Sequence, residues 1–290
     1  MTGMATLPAN TFNLKLSFTT WVCAEWTAAA IVDGMESYGY DGVELRLGKG
    51  HLHGVELDSS AEYLAEVRKQ FDDSNLAICC LATSYNFASP DIVERHKSIE
   101  NLKKALRLAD TLGTPYVRVF GGDIPPGLEA VGVVDYIAES LAEVAEFAET
   151  EKLRSMVLLE TQGSCSHSKY IQEIVHQVYN PKKLGVLWDV LHPLRVLEKV
   201  EDTYDSLGPQ IRHIHVHDCG FNEDRTRLVP CDFGEGFVPM PRIVDLLKAG
   251  AYRGYLSVEA LQKDPDPDEL LPACSKYLKG LIEARPAEEA

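Results

Sequence analysis

The sequence predicts a single (β/α)8 barrel, or TIM barrel, with its active site at the C-terminal face of the strands. Its 290 residues are close to the ~250 that such barrels typically use as one domain. Eight strand-then-helix units follow one another without a break in composition. Four successive strands end in an acidic or histidine side chain, and a closed parallel barrel brings all strand ends to one face.

Short apolar and β-branched runs predict the strands, and helical periodicity follows each of them. The run at 76–82 is continuously apolar, as expected for a parallel strand buried on both faces. Thr27 is a plausible N-cap, and Gly39 and Gly113 end two helices. The predicted strands are 13–20, 41–47, 75–83, 115–120, 155–160, 185–189, 211–217 and 254–259, and the predicted helices are 27–38, 58–71, 91–112, 131–151, 168–178, 194–204, 241–249 and 268–282.

The predicted domain organisation is a disordered lead at 1–12, the barrel at 13–283 and a polar tail at 284–290. An open, doubly wound sheet is the alternative fold. No GxGxxG follows the first strand, so nothing supports dinucleotide binding of that type.

The net charge is −16, from 44 acidic and 28 basic residues. This sign disfavours binding to nucleic acid or to anionic lipid, and a small neutral substrate suits it better. The seven cysteines form no CxxC pair, which together with the absence of a secretory signal pattern predicts free thiols in a reducing cytoplasm. No apolar run approaches the roughly 18 residues that a membrane span needs.

The candidate site consists of the four polar side chains at the ends of strands five to eight: Glu160, Asp189, His215 and Glu259. Three clustered carboxylates repel one another unless a cation or a proton neutralises them. His213 and His217 lie on the same strand face as His215, because side chains alternate along a strand, and they compete with it on chemical grounds.

These residues resemble the xylose isomerase-like barrels, which include sugar isomerases, ketose 3-epimerases, hydroxypyruvate isomerase, inosose dehydratase and apurinic-site endonucleases. The motifs are Glu160 ending strand five, Asp189-x-x-His192 after strand six, His215-x-x-Asp218 in strand seven and Glu259 in strand eight. The resemblance covers nearly the whole chain. It favours His215 over its two neighbours, three positions before Asp218.

The resemblance implies that Glu160, Asp189, His215 and Glu259 ligate one divalent metal ion and that His192 contacts a substrate oxygen. Three oxygen ligands and one imidazole favour Mn2+, and they are compatible with Mg2+, Co2+ or Zn2+. The expected enzyme is a sugar isomerase or epimerase that works through an enediolate. Glu160 and Glu259 are the candidates for removing and returning the proton.

Further substrate contacts are predicted from charged residues near the same rim. Arg118 in strand four and Glu44 with Arg46 in strand two are either substrate contacts or a structural ion pair. Arg225, in the long loop after strand seven, is either a substrate contact or a solvated charge. His51 and His53, in a loop on the active face, either help to close the pocket or lie at the surface, and the surface is the expected place.

Other functions stay open at this stage. A lyase that dehydrates a keto-inositol or keto-sugar is the runner-up, because the stretch from Val258 to Pro265 is similar to the corresponding end of inosose dehydratases. A metal-dependent apurinic-site nuclease is disfavoured by the charge and by the lack of histidine in the loop 219–238. A non-catalytic sugar-binding barrel is a further alternative. A homo-oligomer is expected from the family alone.

Overall fold

The computed structural model describes residues 14–259 and 266–284. The predicted lead, nearly all of the predicted tail, and the segment 260–265 that carries part of the dehydratase-like stretch lie outside these residues. The strands are β1 (Lys15–Thr19), β2 (Gly42–Arg46), β3 (Ala77–Ala82), β4 (Tyr116–Val119), β5 (Met156–Glu160), β6 (Leu184–Asp189), β7 (Ile211–Val216), β8 (Cys219–Phe221), β9 (Leu228–Pro230) and β10 (Tyr255–Val258).

Eight of these strands close into a parallel barrel, in the order β1, β10, β7, β6, β5, β4, β3, β2. Closure is completed where β1 pairs with β10, with Leu16 opposite Leu256. A parallel arrangement requires a crossover between consecutive strands, and the helices supply it. The predicted (β/α)8 barrel is therefore confirmed.

Helices follow the barrel strands close to their predicted positions, and the predicted end signals are present. Thr27 caps the first helix, α1 (Ala28–Tyr38), by accepting a hydrogen bond from the backbone N–H of Ala30 at 3.2 Å. Gly39 and Gly113 end α1 and α3 in the left-handed conformation, with φ of 72° and 74°. The helices are α1 (Ala28–Tyr38), α2 (Ala61–Asp73), α3 (Ile92–Leu112), α4 (Ala130–Thr150), α5 (Ser168–Val178), α6 (Leu191–Arg195), α7 (Val200–Leu207), α8 (Met240–Ala249) and α9 (Pro267–Glu283).

The prediction of one helix over 194–204 was wrong, because the chain breaks there into α6 and α7. Leu197 adopts a left-handed conformation with φ of 64°. The next side chain, Glu198, is buried and accepts a hydrogen bond from the backbone N–H of Ser168 at 2.9 Å. A tertiary contact to the start of α5 thus sets the break, and helical periodicity does not report such contacts.

The predicted long loop after β7 contains the antiparallel hairpin β8–β9. Asp218 organises it, because its carboxylate accepts hydrogen bonds from the backbone N–H groups of Cys219, Gly234, Gly236 and Val238 at 2.9 to 3.2 Å. A Cβ atom at Gly236 would lie 2.0 Å from the Asp218 carboxylate. Only glycine therefore fits at that position.

The apolar core surrounds the barrel, and the barrel strands themselves carry many buried polar groups. Ile31, Leu102 and Ile137 of the surrounding helices are completely buried. In the described part of the chain no helix is long and apolar enough to cross a membrane. The buried polar side chains on the barrel strands include Ser17, Thr19, Glu44, Arg46, Arg118, Glu160, Asp189, His213, His215 and Ser257.

Candidate metal centre and active site

The four predicted metal ligands lie together at the C-terminal ends of β5, β6, β7 and β10. One ligand atom from each of Glu160, Asp189, His215 and Glu259 lies within 4.8 Å of the others. We call these four residues the rim cluster. Glu160, Asp189 and His215 are buried and Glu259 is partly exposed, so the cluster is open to solvent on the Glu259 side.

The imidazole of His215 is oriented by a hydrogen bond to Glu44 inside the barrel. His215 Nε2 donates a hydrogen bond to Glu44 Oε1 at 2.7 Å, which leaves Nδ1 as the ring nitrogen that faces the carboxylates. This Nδ1 lies 3.4 Å from Glu259 Oε2 and 3.8 Å from Glu160 Oε1. A carboxylate behind a histidine fixes its tautomer and ring orientation, as metal-binding histidines commonly require.

Glu44 belongs to a second group inside the barrel, which we call the floor cluster: Glu44, His213, His215 and Ser257. Glu44 Oε1 also accepts hydrogen bonds from His213 Nε2 at 3.0 Å and from Ser257 Oγ at 2.8 Å. Since β1 and β10 separate β2 from β7, these side chains meet through the barrel interior.

Asp189 is the most constrained carboxylate of the rim cluster. Its Oδ1 accepts hydrogen bonds from the backbone N–H groups of Leu191 at 2.9 Å and His192 at 3.3 Å. His217 Nε2 lies 2.9 Å from both of its oxygens. The side chain of His192 is farther away, with Nε2 3.9 Å from Asp189 Oδ2.

Acids and imidazoles shift one another's pKa values in both clusters. Burial disfavours the ionised form of Asp189, but the charges of His217 and His192 outweigh it, and its pKa lies below the usual value. Burial opposes protonation of His215, yet Glu44 and Glu259 raise its pKa well above the usual value. The pKa of His217 is raised in the same way by Asp189. The carboxylates thus stabilise positive charge in both clusters, either on the histidine rings or on a bound cation.

A divalent cation fits the rim cluster by two observations. His215 Nδ1 and Glu160 Oε2 are buried and have no hydrogen-bond partner among the described residues, which is costly unless another species satisfies them. The donor set of three carboxylates and one imidazole suits Mn2+, Mg2+, Co2+ or Zn2+.

Two other groups in the described ranges have a metal-like composition, but each has ligand atoms already engaged by other protein groups, although Glu44 Oε2 and His213 Nδ1 also lack a partner among the described residues. In the floor cluster, Glu44 Oε1 already accepts three hydrogen bonds. On the outer surface, His96, Glu100 and Glu143 lie close together, but Lys103 Nζ contacts both acids, at 2.8 and 2.7 Å.

The predicted substrate contacts fall in different places. Arg118 is buried, and its Nε lies 3.2 Å from Glu160 Oε2 in an ion pair without hydrogen-bond geometry. Glu44 lies completely buried beneath His215. Arg225 is exposed in the β8–β9 turn with φ of 56°. His192 borders a cavity of about 660 Å³ that Gln162 and Arg195 also line.

Sequence reasoning missed several contacts that shape the site. His217 holds Asp189, and Asp218 holds the hairpin rather than joining the rim cluster. The alternation of His213, His215 and His217 on one strand face was the signal for the first contact. His51 and His53 were expected at the surface, but they are 8% and 1% exposed.

The family described as xylose isomerase-like TIM barrel matches residues 32–280 of the sequence. The chain belongs to this family. The predicted resemblance, carried by Glu160, Asp189, His215 and Glu259, is therefore confirmed at the level of the family.

Individual relatives are distant but cover most of the chain. Fructoselysine 3-epimerase of Escherichia coli O157:H7 is 24% identical over 235 residues, covering 76% of this chain and 81% of that protein. A crystal structure of D-psicose 3-epimerase with D-fructose has a TM-score of 0.75 at 17% identity, covering 93% of this chain and 100% of the other. The IOLI protein with a bound zinc atom has a TM-score of 0.77 at 18% identity, covering 93% and 98%. These structural matches show a shared fold.

Proposed function

We propose that this protein is a divalent-metal-dependent sugar epimerase or isomerase that moves a proton through Glu160 and Glu259. The convergence of the rim cluster within 4.8 Å carries the proposal, because its buried Nδ1 and carboxylate oxygen lack partners. The names of the relatives support an activity on ketoses, with epimerisation at C3 as the first reaction to test.

The rim cluster would hold the cation through Glu160, Asp189, His215 and Glu259, with Mn2+ favoured. When bound, the cation would polarise the substrate carbonyl and so acidify the neighbouring C–H bond, which leads to an enediolate. His215 is already oriented for this task by Glu44.

The two glutamates are better suited to proton transfer than Asp189. Asp189 accepts hydrogen bonds from two backbone N–H groups and contacts His217, whereas Glu259 is 21% exposed and lies 3.4 Å from His215 Nδ1. Glu160 and Glu259 approach from β5 and β10, which are separated by two strands. One glutamate would remove the proton from one face of the carbon, and the other would return a proton to the opposite face.

His192 would bind the substrate oxygen on which negative charge develops. Its backbone N–H is held by Asp189 Oδ1, while its side chain, 15% exposed, borders the cavity of about 660 Å³. A donor fixed beside the site of charge development stabilises the transition state. Arg225 stays a predicted contact to the distal end of the substrate, and a homo-oligomer stays a prediction.

The test begins with metal content. Wild-type protein, Asp189→Asn and Glu143→Gln would be purified identically and analysed for bound metal. Glu143→Gln is the matched control, because it makes the same carboxylate-to-amide change in the exposed group that Lys103 neutralises. We expect one divalent ion in the wild type and the control, and about 10²-fold weaker binding or more in Asp189→Asn.

The second measurement is solvent-deuterium uptake into fructoselysine and a panel of ketohexoses, keto-uronates and inososes, with and without Mn2+. Metal-dependent uptake at a carbon-bound position with product retaining its formula supports an epimerase or isomerase. Uptake with loss of water and a new double bond identifies the lyase instead. A bound metal without exchange in any sugar contradicts the proposed chemistry and favours a binding protein.

A further inference from the structure

We propose that Arg46 and Arg118 form a binding site for a carboxylate group carried by the substrate. The site deepens the proposed function and rests on it, because the cavity between the two arginines opens against Glu259 of the rim cluster. The substrate would then be an acidic sugar, such as a keto-uronic acid, rather than a neutral ketose.

The two guanidinium groups face one small cavity. Arg46 comes from β2 and Arg118 from β4, and the cavity between them measures about 170 Å³. It is lined by Thr19, Trp21, Arg46, Ala82, Arg118, Phe120 and Glu259. A space of this size can hold the small charged end of a substrate while the reacting carbons lie at the rim cluster.

Both arginines keep buried N–H groups that no described residue accepts. Arg46 is 7% exposed and Arg118 is 3% exposed. Arg46 Nη1 and Arg118 Nη1 have no hydrogen-bond partner among the described residues, although Arg46 Nη2 donates to Ser84 Oγ. Such donors are costly to bury, so an acceptor oxygen is expected between them.

The charges of the two arginines favour an anion as that acceptor. Burial and the positive charge of Arg118 together lower the pKa of Arg46 to about 10, although the nearby glutamates act in the opposite direction. Arg118 Nε lies 3.2 Å from Glu160 Oε2, whereas Arg118 Nη1 has no acceptor among the described residues. Glu160 and Glu259 are proposed to hold the metal, so neither is free to serve both guanidinium groups.

An aromatic ring lies next to each of the two guanidinium groups. The Arg118 guanidinium lies 4.1 Å from the centre of the Phe120 ring, and that of Arg46 lies 6.0 Å from the Trp21 ring. A guanidinium that meets a ring through its face keeps its N–H edges free for planar, paired hydrogen bonds to a carboxylate.

A carboxylate fits better than a phosphate ester. Glu44, Glu160 and Glu259 all act electrostatically on both arginines, so a second negative charge on the ligand would meet repulsion. A carboxylate carries one charge and matches the planar fork of a guanidinium. The net charge of −16 disfavours anionic ligands elsewhere on the protein, and a local pair of buried arginines would offset that repulsion.

The test compares ligands that differ only at one end. Isothermal titration calorimetry on the Mn2+-loaded protein would measure the affinity of a ketohexose, the keto-uronate of the same configuration and the terminal phosphate ester of the same ketose. We expect the carboxylate to bind about 10- to 100-fold more tightly than the neutral sugar, since hydrogen bonds to charged groups contribute ~1.5–3 kcal/mol.

Variants of the two arginines test whether they are the source of the preference for the carboxylate ligand. In Arg46→Gln and Arg118→Gln, the preference for the carboxylate should fall to near unity, and Arg46→Lys should restore only part of it. Arg107→Gln is the matched control, because Arg107 also stacks on an aromatic ring, Phe147, and pairs with Glu151, but on the outer helices. It should keep the wild-type preference.

Equal binding of the neutral sugar and the carboxylate by the wild type, or binding of neither, overturns this proposal without need of a variant. Tighter binding of the phosphate ester assigns the site to phosphate and overturns it too. Metal content and deuterium uptake report separately on the proposed function. A metal-bound enzyme that exchanges neutral ketoses without any carboxylate preference keeps that function and loses this site.

Discussion

The rim cluster and the floor cluster are built from the same residue types, and His215 belongs to both, yet their hydrogen bonding differs. In the floor cluster, Glu44 Oε1 accepts hydrogen bonds from His213, His215 and Ser257. In the rim cluster, His215 Nδ1 and Glu160 Oε2 have no partner within the described ranges. Glu44 Oε2 and His213 Nδ1 of the floor cluster also lack a partner among the described residues, so unpaired atoms alone do not separate the two clusters. The separation rests on geometry, because three donors already fill Glu44 Oε1, whereas four ligand atoms converge in the rim cluster beside the partly exposed Glu259.

Composition alone cannot separate the two clusters, because each contains carboxylate and imidazole groups at metal-binding distance. The difference arises from which atoms the surrounding strands supply with hydrogen bonds. The floor cluster orients the His215 imidazole through its Nε2 atom, and the rim cluster includes the Nδ1 atom of the same ring as a ligand atom. The following predictions test this division of roles.

The largest effect is expected at the shared residue. His215→Phe removes the ring nitrogen from the rim cluster and one donor from Glu44. We expect loss of bound metal and a fall in turnover of about 10³-fold or more, since a bound cation supplies several kcal/mol of transition-state stabilisation. Metal analysis and steady-state kinetics test this. Full activity without metal would show that the rim cluster is structural.

A smaller effect is expected when only the floor cluster changes. Glu44→Gln keeps an acceptor for His215 but removes the charge behind it, so we expect metal affinity to fall about 10- to 100-fold while all four ligands stay in place. Competition with a chelator at fixed pH would measure this. Unchanged affinity would mean that Glu44 serves the fold rather than the metal.

A histidine buried without a carboxylate should show the opposite pH behaviour from His215. Burial and the neighbouring His51 lower the pKa of His53 to about 4, so the folded state holds the ring neutral. As the pH falls below the unfolded pKa of about 6.5, only the unfolded state gains the proton, and stability should drop by about 2 kcal/mol between pH 7 and pH 5.

Urea unfolding of wild type and His53→Leu at the two pH values would isolate the contribution of His53. The variant should lose less stability over this interval than the wild type. Parallel pH dependence of the two proteins would contradict the assignment.

The smallest effect is expected from one hydrogen bond of the floor cluster. Ser257→Ala removes one of the three donors to Glu44 Oε1, and the free energy of unfolding should fall by about 1 kcal/mol. Metal affinity should change much less than in Glu44→Gln. A large loss of metal would mean that Ser257 also positions His215.

The sequence by itself determined the barrel and, through motifs that resemble a known family, the membership of the rim cluster. Continuous apolar strands such as 76–82, helix-end signals such as Gly39 and Gly113, and polar side chains at successive strand ends are local patterns. These local patterns define a site because a closed parallel barrel brings the ends of its strands, and so Glu160 and Glu259, to one face. This placement does not depend on the conformation of the loops.

The tertiary structure decided which atoms are satisfied. Glu44 and His215 are separated by 171 positions in the chain, and no periodicity connects them. The break at Leu197 depends on the contact of Glu198 with Ser168. Burial of His53 likewise depends on how its loop folds back. Hydrogen bonds, burial and charge compensation come from residues distant in sequence, and only the folded chain brings them together.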